Sequence, residues 1–232
     1  MRGPPHRYAV TRRYAARQNE RVNLPEPDAV AAKRAFRVEL LARRRAVTVA
    51  ERTGADADLI AHLLAELGRR RATTVAAYVP MGTEPGGPGL PGALSAAGLT
   101  VLLPLLEVDG ALDWARYTGD LTDGPRGLRE PTGPRLGQAA VAGADAVVVP
   151  AVAVDRRGVR LGRGGGSYDR ALSLLGPRAS AIALLYDGEL VDGLPAEPHD
   201  RRVGAVVTPA GARPLPWPAP AGTARTSTTS TG

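Results

Sequence analysis

Residues 145–170 read DAVVVPAVAVDRRGVRLGRGGGSYDR, and this stretch decides the fold. Its first ten residues, 145–154, are almost wholly apolar and rich in valine, the pattern of a strand buried on both faces. RLGRGGGSYDR follows at 160–170. Four glycines in the five positions 162–166 let the backbone turn its N–H groups inward and form an anion nest. A helix over about 168–175 adds free N–H groups and its positive dipole end. Arg160 and Arg163 bring charge suited to phosphate oxygens. A bare glycine run is as easily a surface turn, with Asp169 an ordinary helix-start carboxylate. The flanking arginines, preceding strand and following helix favour phosphate. The stretch contains neither G-x-x-x-x-G-K-[ST] nor G-x-G-x-x-G, because Ser167 stands where the last glycine of the second pattern belongs. It is therefore neither a P-loop nor a standard dinucleotide fingerprint.

Working outward, 73–79 (TTVAAYV), 100–106 (TVLLPLL), 111–118, 181–186 (AIALLY) and 203–208 (VGAVVT) read as further strands. Asp28 can cap a helix over 29–47, and Thr48-x-x-Glu51 is a capping box opening a second helix to about Leu67, with Gly68 behind it. Residues 90–97 are weakly helical. Strands alternating with helices predict an α/β fold: an open, mainly parallel sheet with helices on both faces, in a single domain over 28–210. Ligands of such sheets sit beyond the carboxyl ends of the strands. Residues 1–27 read as a basic, disordered extension, and 211–232, rich in Pro, Ala and Thr, as a disordered tail.

The 232 residues hold no cysteine, which excludes disulfides, thiolate zinc sites and cysteine nucleophiles. No apolar run is long enough for a bilayer and no secretory signal is visible, so a cytoplasmic protein with no membrane partner is expected. The formal charge is +7, but Arg2, Arg7, Arg12, Arg13 and Arg17 carry most of it. The remainder is close to neutral and lacks the interleaved aromatics of RNA-binding modules, so no specific nucleic-acid partner is expected. Lys33 is the only lysine among 30 basic residues. In an arginine-rich chain, a lone lysine hints at a need for a compact ammonium. Lys33 and Arg37, spaced i, i+4, project from one helix face.

The 160–170 loop closely resembles the RLGxGxGYYD loop of the 5-formyltetrahydrofolate cyclo-ligase family, also called 5,10-methenyltetrahydrofolate synthetase. Segments 32–52, 75–86, 127–131 (GLREP), 147–162 and 197–209 resemble further elements of that family in its order, covering about 33–209. The departures are Ser167 for the first of two tyrosines, and Ala151 and Val154 for a glycine and a phenylalanine.

The resemblance implies ATP binding by Lys33, Arg37, Arg160, Leu161, Gly162, Arg163, Gly164, Gly165, Gly166, Ser167 and Tyr168, and Mg²⁺ binding by Asp169 and Asp200. It implies folate binding by Val79 and Glu84, a carboxylate being able to hold two donors of a pterin's amino-pyrimidine edge. His199 is taken as a bystander. The implied reaction is closure of 5-formyltetrahydrofolate to 5,10-methenyltetrahydrofolate with release of ADP and phosphate. It needs no covalent enzyme intermediate, only positioning and electrostatics. A monomer acting in one-carbon metabolism is expected. The competing readings are a non-catalytic nucleotide- or folate-binding relative, an RNA-binding protein using the basic extension, and a sugar-phosphate isomerase or acyl-CoA transferase on a related sheet.

Overall fold

A computed structural model of the chain describes residues 26–176, 179–197 and 200–216. Residues 1–25 of the expected 1–27 extension, 217–232 of the expected 211–232 tail, and His199 lie outside the described residues. Helices α1 (Glu26–Ala46) and α2 (Val49–Arg69) precede strand β1 (Thr74–Ala76), helix α3 (Leu90–Ala96), and strands β2 (Thr100–Leu106) and β3 (Leu112–Arg116). A small antiparallel hairpin, β4 (Leu121–Asp123) and β5 (Arg129–Pro131), comes next. Then follow β6 (Ala146–Val149), β7 (Ala153–Asp155), β8 (Arg160–Leu161), helix α4 (Ser167–Ser173), β9 (Ser180–Leu184), β10 (Leu190–Val191), β11 (Ala205–Thr208) and β12 (Gly211–Pro214).

The main sheet has the order β12-β11-β9-β6-β1-β2-β3. Its five inner strands are parallel, and β3 and β12 are antiparallel edges. The order decides where a ligand can sit. From β1 the chain first moves outward to β2, then returns to lay β6, β9 and β11 on the other side. Right-handed crossovers in opposite directions put their helices on opposite faces. Accordingly Leu90 and Leu94 of α3 pack on one face, together with Leu59, Leu63 and Leu67 of α2. Ala171 and Leu172 of α4 pack on the other.

The strands show why both faces are covered. In β6, Ala146 and Val148 face the α2–α3 layer, while Val147 and Val149 face the α4 layer. All four side chains are fully buried. The leucines of α2 recur at i, i+4 and i+8, one helical stripe, and each contributes about 1.5–3 kcal/mol by leaving water. The expected capping box is present: Thr48 Oγ1 accepts from Glu51 N at 3.3 Å and Glu51 Oε2 accepts from Thr48 N at 2.9 Å.

Several boundaries differ from the sequence reading. The valine run 145–154 is not one strand. It stops at Val149, and the chain leaves the sheet at Pro150 to begin β7 in a second, three-stranded sheet ordered β10-β7-β8. Pro150 has no N–H to give to a ladder, so a break there is natural. Residues 160–161, read as loop, are β8. Gly68 lies inside α2 rather than behind it, and α1 begins at Glu26, within the segment read as extension. At the other end, 211–214, read as tail, pair with β11 as an edge strand.

Helix α1 lies over the small sheet, where Leu40 packs with Val152, Val159, Leu161, Val191 and Leu194. The turn between β7 and β8 is organised by Asp155, whose side chain is fully buried. Its Oδ1 accepts from Arg157 N at 2.8 Å and Val159 N at 2.9 Å, and its Oδ2 accepts from Leu194 N at 3.1 Å. Asp155→Ala strands buried amides without acceptors and is expected to lower unfolding stability by about 3 kcal/mol, read as a lower urea midpoint. An unchanged midpoint would show that the carboxylate is dispensable.

Candidate functional site

The point where strand order reverses lies between β1 and β6. There the crossovers diverge and leave a crevice beyond the carboxyl ends of the strands. A cavity of about 400 Å³ occupies it, with Tyr78 and Val79 after β1, Leu106 at the end of β2, and Ala151 and Val152 after β6 on its walls. Every residue that the sequence nominated lines this one cavity: Lys33, Arg37, Val79, Glu84, all of 160–169 and Asp200.

One wall is polar and positively charged. The loop 162–166 leaves β8 and enters α4. Gly164 and Gly166 have φ of +101° and +68°, conformations that a side chain would strain. No side chain caps the first turn of α4, so its N–H groups face the loop without a side-chain acceptor. Arg37 Nε donates to Gly162 O at 2.8 Å and so ties α1 to the loop. The Arg160 guanidinium donates to Asp169 Oδ2 at 3.0 Å and Pro150 O at 3.2 Å, and its buried Nε has no protein acceptor. An unsatisfied buried donor suits an anionic ligand at this wall.

Lys33 is 6% exposed. Its ammonium lies 2.5 Å from Glu197 and 2.7 Å from Asp200. Burial works against its charge, but the hydrogen bonds and charges of Asp200 and Glu197 outweigh this and raise its pKa above the usual lysine value. The segment carrying these acids is itself a tight turn, in which Glu197 N donates to Asp200 Oδ2 at 2.7 Å. Asp169 reaches the same segment, accepting from Arg201 N at 3.1 Å.

Asp169 and Asp200 thus converge from α4 and from the loop before β11. Among the described residues no group of three or more acidic or histidine side chains could hold a metal alone. Two carboxylates do not suit zinc, which takes three or four protein ligands. They do suit Mg²⁺, which takes one or two and shares the rest of its shell with water and phosphate.

Val79, Met81, Pro104, Leu106, Leu112 and Val152 give the cavity an apolar lining as well, and Glu84 is a buried acid in it. Glu84 is 8% exposed. Its Oε1 lies 3.0 Å from Arg163 Nε, and its Oε2 accepts from Met81 N at 2.9 Å. Tyr78 donates to Pro85 O at 2.5 Å. Burial, with the charge of Glu84 behind it, pushes the pKa values of Tyr78 and Tyr168 up. Both therefore stay neutral. The Tyr168 ring also stacks 6.0 Å from the Arg160 guanidinium.

Sequence reasoning missed two residues of the site. Glu197, three residues before Asp200, shares its grip on Lys33. Arg44 lines the cavity and is 2% exposed. It donates to Glu189 at 2.5 and 2.7 Å and to Ala151 O at 2.6 Å, and lies over the Tyr186 ring. The helical spacing 33, 37, 40, 44 was the available signal: it puts Arg44 on the buried face with Lys33 and Leu40.

Residues 29–209 match the model of the 5-formyltetrahydrofolate cyclo-ligase family. A 5-formyltetrahydrofolate cyclo-ligase of Mycolicibacterium smegmatis is 44% identical over 180 residues, covering 75% of this chain and 92% of that one. Among solved structures, the 5,10-methenyltetrahydrofolate synthetase of Aquifex aeolicus superposes with a TM-score of 0.68 at 26% identity, over 84% of this chain and 98% of that one. A 5,10-methenyltetrahydrofolate synthetase of Mycoplasma pneumoniae shares the fold, with a TM-score of 0.62 at 22% identity over 76% of this chain and 98% of that one.

The site's ion pairs make two checkable statements. Arg44→Met leaves Glu189 buried without its cation and is expected to cost about 3–5 kcal/mol in urea unfolding, while Arg44→Met with Glu189→Leu regains most of it. A single variant as stable as wild type would contradict the pairing. Because the pKa of Lys33 is raised on folding, its contribution is complete below the free-lysine value of 10.5 and is lost as pH climbs through the higher folded value. The stability difference between wild type and Lys33→Gln should therefore be flat through neutral pH and shrink only in strong alkali. A difference that shrinks near neutrality would refute it.

Proposed function

The chain belongs to the 5-formyltetrahydrofolate cyclo-ligase family, and on that footing we propose that it uses ATP and Mg²⁺ to close 5-formyltetrahydrofolate to 5,10-methenyltetrahydrofolate, releasing ADP and phosphate. The observation that carries this reading is the single cavity. Its lining combines a glycine loop and basic side chains with an apolar surface and the buried Glu84. A phosphate donor and a pterin can meet there.

The chemistry needs such a meeting. The N5 formyl group is an amide, a poor electrophile. Transfer of the γ-phosphoryl group to the formyl oxygen makes that oxygen a leaving group. N10 then attacks the formyl carbon and loses its proton, the C–O bond breaks, and the oxygen departs with phosphate. No side-chain nucleophile is needed. The chain's work is to align the reactants and balance phosphoryl charge before the reaction begins.

In this reading the loop amides of 162–166 and Arg160 hold phosphate oxygens, and Lys33 and Arg37 complete the positive wall. Asp169 and Asp200 hold Mg²⁺, which neutralises phosphate charge when bound. Glu84 receives the pterin's N–H donors. Its two oxygens have lone pairs beyond those used by Met81 N and Arg163, and the half-exposed Arg163 can swing away. Val79 and the neutral Tyr78 and Tyr168 line the apolar side. No helix among the described residues is long and apolar enough to cross a membrane; in this reading the enzyme acts in the cytoplasm as a monomer.

Turnover is followed by the near-UV absorbance of the methenyl product in 5-formyltetrahydrofolate and MgATP. Wild type is expected to form product only with both nucleotide and metal. Asp169→Asn is expected to lower kcat by about 100-fold or more with unchanged circular dichroism. Product formation without ATP would overturn the reading, as would an unaffected Asp169→Asn enzyme for the metal assignment.

A further inference from the structure

The cavity has a cation that the proposed chemistry does not use. Arg126 lies in the tip of the β4–β5 hairpin, within the one-turn 3-10 helix Pro125–Gly127, and lines the cavity. The other cations on its walls already hold a carboxylate or a carbonyl. Arg126 makes no hydrogen bond or ion pair among the described residues.

Its backbone is unusual as well. Arg126 has φ 58° and ψ 25°, the left-handed region that favours glycine or asparagine. The tip that holds it is closed by Gly124 N donating to Leu128 O at 2.8 Å. Glu130 packs so tightly against Gly124 that a Cβ there would lie 2.6 Å from its carboxyl carbon. Glu130 also anchors the hairpin to the main sheet by accepting from Leu106 N at 2.8 Å. Leu128, two residues from Arg126, and Leu106, beside the Glu130 anchor, both line the cavity, as does the paired Arg129.

The proposed substrate has the matching layout: a pterin, an apolar aminobenzoyl ring, and an anionic glutamyl end. With phosphate groups at the glycine loop and the pterin at Glu84, the ring's natural track is along Leu106 and Leu128. We propose that Arg126 is the recognition point for the carboxylates of the glutamyl tail and so sets the preference for glutamylated folates. This rests on the folate reading of the site.

Arg126→Gly removes the guanidinium and suits the left-handed backbone; Arg126→Lys keeps a charge. Steady-state KM is measured for ATP, for 5-formyltetrahydrofolate and for its analogue lacking the glutamate. Arg126→Gly should raise KM for the glutamylated substrate about tenfold, the loss of one charge-assisted contact. It should leave kcat, KM for ATP and KM for the analogue within about twofold, and Arg126→Lys should recover most of the loss. Equal effects on both folates, an effect on ATP instead, or no effect would overturn the proposal. Wild type without turnover would instead defeat the folate-closing reaction. The comparison then moves to equilibrium binding of the two folates, where the proposal stands only if Arg126→Gly weakens the glutamylated one alone.

Discussion

The reversal of strand order between β1 and β6 is the constraint on which the rest of the molecule depends. Crossovers leaving these neighbouring strands run in opposite directions and cover opposite faces of the sheet. Neither covers the ends where they part. The opening cannot be filled by a helix without changing the topology, so whatever the chain places on the loops after β1 and β6 must meet there. After β1 it places Tyr78, Val79 and Glu84; after β6 it places Pro150 and the small sheet that carries the glycine loop.

Helix α1 then closes the polar side. It lies over the small sheet through Leu40, and three of its charged side chains reach inward from the same face. Arg44 is held by Glu189, Arg37 by the loop carbonyl of Gly162, and Lys33 by Glu197 and Asp200. Buried ion pairs of this kind are costly to desolvate, and an apolar core would often be as stable. Their arrangement is more informative than their energy, because Lys33 and Arg37 join segments distant in sequence along one wall. Asp200 is engaged with Lys33 before any metal arrives. The proposed Mg²⁺ site would therefore form by sharing or displacing a contact already made.

The five inner strands of the main sheet were legible because their side chains are mostly apolar on both faces. The run 100–106 coincides with β2, and the Thr48–Glu51 pair marked the start of α2 through local hydrogen bonds alone. What was not legible depended on distant partners. Strands β8 and β10 are two residues long and exist only because β7 lies between them. The edge strand β12, GARP, has no strand-like composition and is held by the turn that folds it onto β11. The valine run misled at Pro150, where a single missing donor outweighed eight apolar neighbours. For the site, the glycine loop announced itself by composition. Glu84 and Asp200 were drawn from resemblance and lie in the same cavity. Arg44 shared the helical spacing of Lys33 and Leu40, but its role is set by a partner 145 residues away; Arg126 carries no local signature.

In the proposed reaction one cavity brings the formyl oxygen of a folate to a nucleotide phosphate. The most direct measurement is the fate of that oxygen. With 5-formyltetrahydrofolate labelled with heavy oxygen in the formyl group and unlabelled MgATP, the account predicts that the label leaves in inorganic phosphate, one atom for each ring closed. Label released into water, with unlabelled phosphate, would contradict it.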